Sequence, residues 1–527
     1  MGVERRGPTG ETVPGAVRRQ AEWRGDADAL VMDGRAVTFA DLDRSANRVA
    51  NALLAHGLVP GGRFAVVDKN SLAFFPLVVG GLRAGGTHLA VNWRLTPPEM
   101  RVVLGRSRAQ VVFAGADTVD QVADAVADLD DPPAVVVLAD AASGPGRPAL
   151  DDWLAPHGDG DPGVAVSAAD TAFLFSTSGT TGVPKGVPVS HDACLTQVRG
   201  LGPLLGFRAG AVSLMAMPTF HIAGTEWTLQ GLYHGATTVV LREFDPGAVL
   251  AAIQEHRVTH AMLVPAMLTF LLEDPALAGT DTSAVETVSY GGSPIAPSTL
   301  SAAVDALGCR FFQTYGITEV AGAVSVLHAD DHDPARPELL ASAGRPVPWC
   351  DVRICDPDTG AFLPVGSVGE VCVRSPANMP GYDGVPNEES GAFFGEWLRT
   401  GDAGYVDADG YLFLHDRVRD MVVTGGENVY PVEVENVLAA HPEVVEVAVI
   451  GVPSDRWGEA VHAVAVRVPG GTVTAEELVA FARPQLAGFK LPKSVAFVDR
   501  LPRNPSGKVL KTELRRPYWA ERARAVG

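Results

Sequence analysis

Cysteine is scarce in this chain of 527 residues: Cys194, Cys309, Cys350, Cys355 and Cys372 are scattered, odd in number and without a Cys-x-x-Cys pair. That argues against a disulfide framework or a zinc site and for a reducing compartment. Long apolar runs are missing too, since Phe74-Phe-Pro-Leu-Val-Val79 stops at Gly80-Gly81, far short of a membrane span. The opening Met1-Gly-Val-Glu-Arg-Arg6 has no apolar core of a signal peptide, and Arg6 fails the myristoylation pattern. A cytoplasmic protein without integral membrane association is expected. Basic charge is short, with 42 Lys and Arg against 62 Asp and Glu, which argues against nonspecific nucleic-acid binding. From Arg483 onward the balance reverses to eleven basic residues against three acidic ones. Most of these belong on a solvated face; the functional reading is a small positive domain that closes over phosphates.

What is present is a globular balance, 46% hydrophobic and 20% charged, on a chain long enough for two or three domains. The apolar run Thr171-Ala-Phe-Leu-Phe175 leads into Ser176-Thr-Ser-Gly-Thr-Thr-Gly-Val-Pro-Lys-Gly186. This predicts a buried strand entering a mobile loop whose N–H groups and hydroxyls surround a polyphosphate, with Lys185 adding a point charge. A Walker loop is ruled out because Pro184 precedes the lysine and Gly186 follows it. Taken alone, the stretch also reads as a flexible Ser/Gly/Thr turn.

Along the chain, Thr38-Phe-Ala-Asp41 predicts a capped helix with apolar positions Leu42, Ala46, Val49, Ala50, Leu53 and Leu54, ended by Gly57. Short apolar runs then alternate with helical patterns, and a second such rhythm runs from Ala211 to Tyr315, so βα units and largely parallel pairing are expected. The stretch 141–169 reads as a surface connection. After Gly344 shorter strands with turn signals predict a β-rich subdomain, about 344–418. Past Arg419 come a helix from Pro431, two alternating strands at Val444–Ile450 and Val461–Val466, and a helix near Ala475. The expected fold is α/β: a large N-terminal domain, 1–418, and a small mobile α+β domain, 419–527.

Further motifs follow in order: Gln313-Thr-Tyr-Gly-Ile-Thr-Glu319, Arg399-Thr-Gly-Asp402, Asp416-Arg-Val-Arg-Asp420, Gly425-Gly-Glu-Asn428 and Asn504-Pro-Ser-Gly-Lys508. The ordered set resembles the adenylate-forming superfamily of acyl-CoA synthetases, firefly luciferase and nonribosomal peptide adenylation domains, over nearly the whole chain. The resemblance implies ATP, Mg²⁺ and coenzyme A as co-substrates and metal. It implies that Thr177, Ser178, Gly179, Thr180, Thr181 and Lys185 lie over the β- and γ-phosphates. Gly291, Gly292 and Ser293 would edge the adenine, although a plain strand-to-turn junction explains those glycines almost as well. Gln313, Thr314, Tyr315 and Gly316 would line the nucleotide, with Tyr315 packed on adenine. Thr318 would contact the α-phosphate, Glu319 and Thr181 would hold Mg²⁺, and Asp402 and Arg417 would take the ribose. Lys508 would be the catalytic lysine bridging carboxylate and α-phosphate. The hinge position, usually Asp or Lys in the family, is Arg419 here. Gly425, Gly426 and Glu427 would border the pantetheine path, and Lys490 is a weaker candidate for the CoA phosphates.

Phe220-His-Ile-Ala-Gly224 bears on the acid. Amino-acid-activating relatives carry Asp where His221 stands, so no counter-ion for an α-ammonium is present there, and a fatty, aryl or terpenoid acid is favoured. His221, also a catalytic candidate, Ile222, Gly224, Thr225, Tyr290, Gly316, Ala321 and Gly322 are the expected pocket. The leading expectation is an AMP-forming acyl-CoA ligase. Transfer to a carrier protein and a non-catalytic nucleotide-binding scaffold stay open, as does a homodimer.

Overall fold

The computed structural model describes residues 10–138, 146–177, 185–293, 295, 297–332, 336, 338–417, 420, 422–424, 427–429, 431–454, 457–503 and 509–525. Of the candidate site residues, Ser178, Gly179, Thr180, Thr181, Arg419, Gly425, Gly426 and Lys508 lie outside them, as do the side chains of Arg417 and Glu427.

The chain divides into two compact units, Met1–Asp351 with Val373–Leu398, and Val352–Cys372 with Arg399–Gly527. By compactness the division therefore runs elsewhere than the expected 418/419: Val352–Cys372 and the stretch from Arg399 group with the tail. Local pairing supplies the reason, since Asp402–Val406 pairs antiparallel with Leu412–Arg417, and Glu370 binds Arg399.

In the first unit the two rhythms become two sheets. One has six strands in the order Ala134–Val137, Ala109–Ala114, Arg63–Val67, Thr87–Ala90, Thr171–Thr177, Lys185–Ser190. All its pairs are parallel except the last. The other has nine strands, in which Thr237–Val240, Val212–Met215, His260–Leu263, Thr287–Gly291 and Arg310–Ile317 form a parallel centre. On one side Gly322–Leu327 and then Arg345–Pro346 add antiparallel; on the other Asp28–Met32 pairs parallel with Thr237–Val240 and antiparallel with Arg35–Thr38, which ends the sheet. Central strands are buried on both faces, which is why they read as unbroken apolar runs.

The helix Phe39–Ala55 begins where expected, with the Thr38 hydroxyl accepting from the Asp41 N–H at 3.1 Å. Leu42, Ala46, Val49, Ala50 and Leu53 are buried, one helical stripe, while Leu54 lies at its edge. One expectation needs correction: 141–169 is not plain connection, because it carries the helix Leu150–Leu154. Trp153 decides this, its ring packing edge-on against Phe113 at 5.5 Å.

In the second unit, helix Pro431–Ala439 buries Pro431, Val434 and Leu438. Strands Val444–Ser454 and Gly458–Arg467 pair antiparallel, with Ser494–Phe497 parallel beside them. Helix Ala475–Ala482 opens with a Thr474/Glu477 capping box. Their apolar faces meet in one core around Val449, Val461, Ala463 and Leu478. No described helix is long and apolar enough to cross a membrane.

Candidate active site

The phosphate-loop candidates flank a hairpin. Ala172–Phe175 are buried in the strand ending at Thr177, and Thr177 is cross-strand partner of Lys185, the first residue of the returning strand. The buried strand is as the sequence predicted. The residues between, 178–184, lie outside the described set.

A second hairpin carries the next motif. Gln313, Thr314, Tyr315 and Gly316 lie on Arg310–Ile317, and Thr318–Val320 make a single 3₁₀ turn before Gly322–Leu327 returns. Glycine is dictated by close backbone approach here. A Cβ on Gly316 would meet the Gly322 carbonyl at 2.2 Å, and Gly322 itself has φ +140°. A Cβ on Gly291, at the end of the neighbouring strand, would meet the Thr314 carbonyl at 2.2 Å. The turn is thereby pressed tight, which fixes where Thr318 and Glu319 stand.

Three residues not singled out in the sequence hold that turn. Gln197 donates its amide to the carbonyls of Val320 and Ala323 at 2.8 and 3.0 Å, and accepts from the Trp349 indole at 3.1 Å. Tyr382 donates its hydroxyl to Glu319 Oε1 at 3.0 Å. The Lys185 ammonium sits over the ring of the same Tyr382, 4.6 Å from its centroid. The backbone around Tyr382 is fastened at both sides: the Met379 N–H donates to the Glu319 carbonyl and the Asp383 N–H to the Gly186 carbonyl, each at 2.8 Å. Arg63 grips Asp383 through two bonds of 2.9 and 2.7 Å. One strap thus joins the lysine after the first loop to the carboxylate of the second. A Gly-Tyr pair 60 residues downstream gives no local sign of this.

Glu319 is half-buried, and the described residues hold no group of three or more side chains that could bind a metal by themselves. A lone carboxylate suits Mg²⁺, which takes one or two protein carboxylates and completes its shell with phosphate oxygens and water. Gln313 Oε1 is buried without a hydrogen-bond partner, an acceptor available to a nucleobase N–H.

The expected acyl pocket is only partly assembled. His221 caps the helix Ile222–His234, its Nδ1 accepting from the Ala223 N–H at 3.3 Å, and burial lowers its pKa. The ring is therefore neutral, with Nδ1 the acceptor and Nε2 the donor. Ile222 follows it at the helix start, and Gly322 at the hairpin tip lies against Glu226 of the same helix. Tyr290 does not join them: it is fully buried in the apolar core, and its hydroxyl meets His332 Nε2 at 3.0 Å. Period-2 alternation explains this, because Tyr290 projects from the face opposite Gly291. Gly224 packs against the Pro218 carbonyl, where a Cβ would come to 2.2 Å, and the Thr225 hydroxyl is spent on the Thr219 carbonyl at 2.8 Å. Both serve the turn before the helix.

In the second unit, Asp402 and Arg417 are cross-strand partners, so their backbones lie side by side. The Arg399-Thr-Gly-Asp402 turn rests on Glu370, almost fully buried, which accepts from Arg399 at 2.9 and 2.7 Å and from the Gly401 N–H at 3.1 Å. The Asp402 N–H bonds the Thr400 hydroxyl at 3.0 Å. Glu370 was missed because one glutamate in a strand reads as a surface residue. Lys490, the weaker CoA candidate, is held by both carboxylate oxygens of Glu433 at 2.6 and 2.7 Å. The basic tail is similarly matched at Lys511 with Glu435 and Arg515 with Asp420, so much of its charge is balanced inside the unit.

Comparison with known proteins agrees with this arrangement. The family model for AMP-binding enzymes matches residues 17–383, and that for the AMP-binding enzyme C-terminal domain matches 433–508. The fatty acid–[acyl-carrier-protein] ligase ScoC of Streptomyces coeruleorubidus is 39% identical over 94% of this chain and 95% of its own. A feruloyl-CoA synthase from an Amycolatopsis species is 37% identical over 95% and 98%. Among solved structures, the amide bond synthetase McbA from Marinactinospora thermotolerans superposes with a TM-score of 0.87 at 33% identity, covering 96% of this chain and all of that one. Because the family match covers well over half its length, this chain belongs to the AMP-binding enzymes, the adenylate-forming ligases.

Proposed function

We propose that the protein activates a hydrophobic carboxylic acid with ATP and passes the acyl group to the thiol of coenzyme A. A carboxylate cannot expel hydroxide to form a thioester. Attack on the α-phosphate, with pyrophosphate leaving, gives an acyl-adenylate; the thiol then attacks its carbonyl and AMP departs. Each step needs charge stabilised on phosphate oxygens. The observation that carries the reading is the Lys185–Tyr382–Glu319 cluster, which ties a cation and a carboxylate to the two loops expected at the phosphates. Mg²⁺ held by Glu319 and Thr181 would neutralise phosphate charge. Thr318 and Lys508 would meet the α-phosphate, and Asp402 with Arg417 the ribose. Neutral His221 offers a hydrogen-bond donor and no counter-ion, which supports an acid without an α-ammonium.

The test is a panel of carboxylic acids assayed for AMP release with ATP, with and without coenzyme A. AMP release that requires both an acid and coenzyme A is expected. ATP binding without pyrophosphate release would instead support a silent scaffold.

A second reading, transfer to the phosphopantetheine thiol of a carrier protein, is favoured by Lys490. Its pairing with Glu433 removes one cation expected at the CoA phosphates. The relative ScoC is a carrier-protein ligase by name. Replacing coenzyme A by a pantetheinylated carrier protein in the same assay separates the two.

A further inference from the structure

Helix Ile222–His234 is otherwise uncharged in its first two turns, yet it carries one acid, Glu226. Thr225, Thr228, Leu229 and Leu232 face a small cavity shared with Phe74 and Phe75. Ala223, Glu226 and Gln230, three and four residues apart, share a different face. Glu226 Oε2 lies against the backbone of Gly322, where a Cβ would come within 2.5 Å of it, and the Gln197 amide carbon is 3.4 Å from the same point. Glu226 thus stands beneath the turn that carries Thr318 and Glu319.

Among the described residues no cation offsets its burial. Burial pushes its pKa up to about 8, and no basic group counters the shift. The other titratable neighbour is the buried Cys194 thiol, itself held neutral. Gln230 eases ionisation of Glu226 slightly, but it is only 1% exposed and neither of its amide atoms has a partner within hydrogen-bonding distance. An orphaned buried amide costs about 1–3 kcal/mol. A desolvated carboxyl without a cation and an orphaned amide on one helix face are groups that a polar substituent of a ligand can satisfy.

We infer that Glu226 and Gln230 form the recognition point for the acyl part of the substrate, and that the acid carries an N–H or O–H donor remote from its reacting carboxyl group. This rests on the adenylation reading and narrows it: the acid is apolar along its body with one polar group. A hydroxyl would donate to one of the two residues and accept from the other. An alkyl amine would take the carboxyl proton of Glu226, leaving an ammonium–carboxylate pair with no change in net charge, whereas an aryl amine, too weak a base, would donate an N–H as a neutral group. The sequence rule drawn from His221, that no counter-ion faces the acid, then holds for the α-position and not for the far end.

The experiment compares matched acids that differ in one group: 4-methyl-, 4-hydroxy- and 4-aminocinnamic acid, and heptanoic, 6-hydroxyhexanoic and 6-aminohexanoic acid. Pyrophosphate release gives kcat/KM, and calorimetry gives acid binding in the presence of ATP. In the wild type a donor-bearing acid is expected to exceed its methyl counterpart about 10- to 100-fold in at least one series. Glu226→Leu should erase or invert that preference while ATP still binds. Glu226→Gln should keep the hydroxyl and aryl-amine preferences and lose that for 6-aminohexanoic acid. Gln230→Leu, a second variant that replaces an orphaned amide, should weaken the preference without loss of unfolding temperature. Equal use of methyl and donor acids by the wild type overturns the inference, as does a preference that survives Glu226→Leu. If no acid releases pyrophosphate, the adenylation reading fails on its own; the binding ratios still decide the inference, and failure of every donor-bearing acid to bind overturns it.

Discussion

Glu319 and Glu226 flank the same hairpin tip and are put to opposite uses. Glu319 receives a tyrosine hydroxyl whose ring carries a lysine. Glu226, against Gly322, is desolvated, has no cation and is pushed up to about 8. The same side chain is prepared for charge on the phosphate side and for hydrogen bonding on the acyl side, and the surroundings alone make the difference. On this view, damage on the phosphate side lowers the rate for every acid alike, whereas damage at Glu226 redistributes rate among acids.

The largest effect should come from Lys508→Ala. A cation placed at charge that develops in the transition state is worth roughly 10²–10³-fold or more, so adenylation should fall by that factor for all acids. Thioester formation from presynthesised adenylate should survive, and single-turnover assays of the two half-reactions check it. Equal loss in both would remove Lys508 from the phosphate side.

Glu319→Gln keeps the shape and removes the charge. The Mg²⁺ needed for half activity should rise on the order of 100-fold, with acid preference untouched. A metal titration on the folded variant measures this, and an unchanged midpoint would detach Glu319 from the metal.

Tyr382→Phe sharpens the comparison, because it keeps the ring beneath Lys185 and deletes the hydroxyl that bonds Glu319. Loss of a group that orients a metal ligand typically costs 10- to 100-fold in affinity, and about 10-fold is expected for a single exposed-side hydroxyl. The affinity for ATP without added metal, read by calorimetry, should barely move. If ATP affinity falls as much as metal affinity, the strap acts through Lys185 and not through Glu319.

Glu226 also leaves a signature in stability. Its carboxyl binds a proton more tightly folded than unfolded, with pKa about 8 against 4.5. Between those values the unfolded chain holds fewer protons, so stability falls as pH rises, by up to about 1.4 kcal/mol per pH unit. Glu226→Gln should lose that slope. Urea unfolding of both proteins at two pH values inside the window reads the difference; parallel curves would mean that Glu226 is solvated.

Much of this was legible in the chain itself. Periodicity and turn chemistry are local, so the Thr38 cap, the buried strand before Thr177 and the Pro431 and Ala475 helices follow from neighbours a few residues apart. Motif order along the chain was enough to name the superfamily. What local pattern cannot supply is the partner of a side chain. Gln197 reaches Val320, and Tyr382 reaches Glu319, across more than 60 residues. Lys490 looks like a free cation until Glu433 is found beside it.

The sequence by itself determined which residue types are available for ATP chemistry and in what order, because those are set by composition and short-range spacing. Tertiary structure alone decided which of them are charged, paired or orphaned. Tyr290 went to the core through a strand register, and Glu370 became the buried anchor of the Asp402 turn. Glu226 became a neutral acid because the protein interior, not the residue, sets the cost of charge.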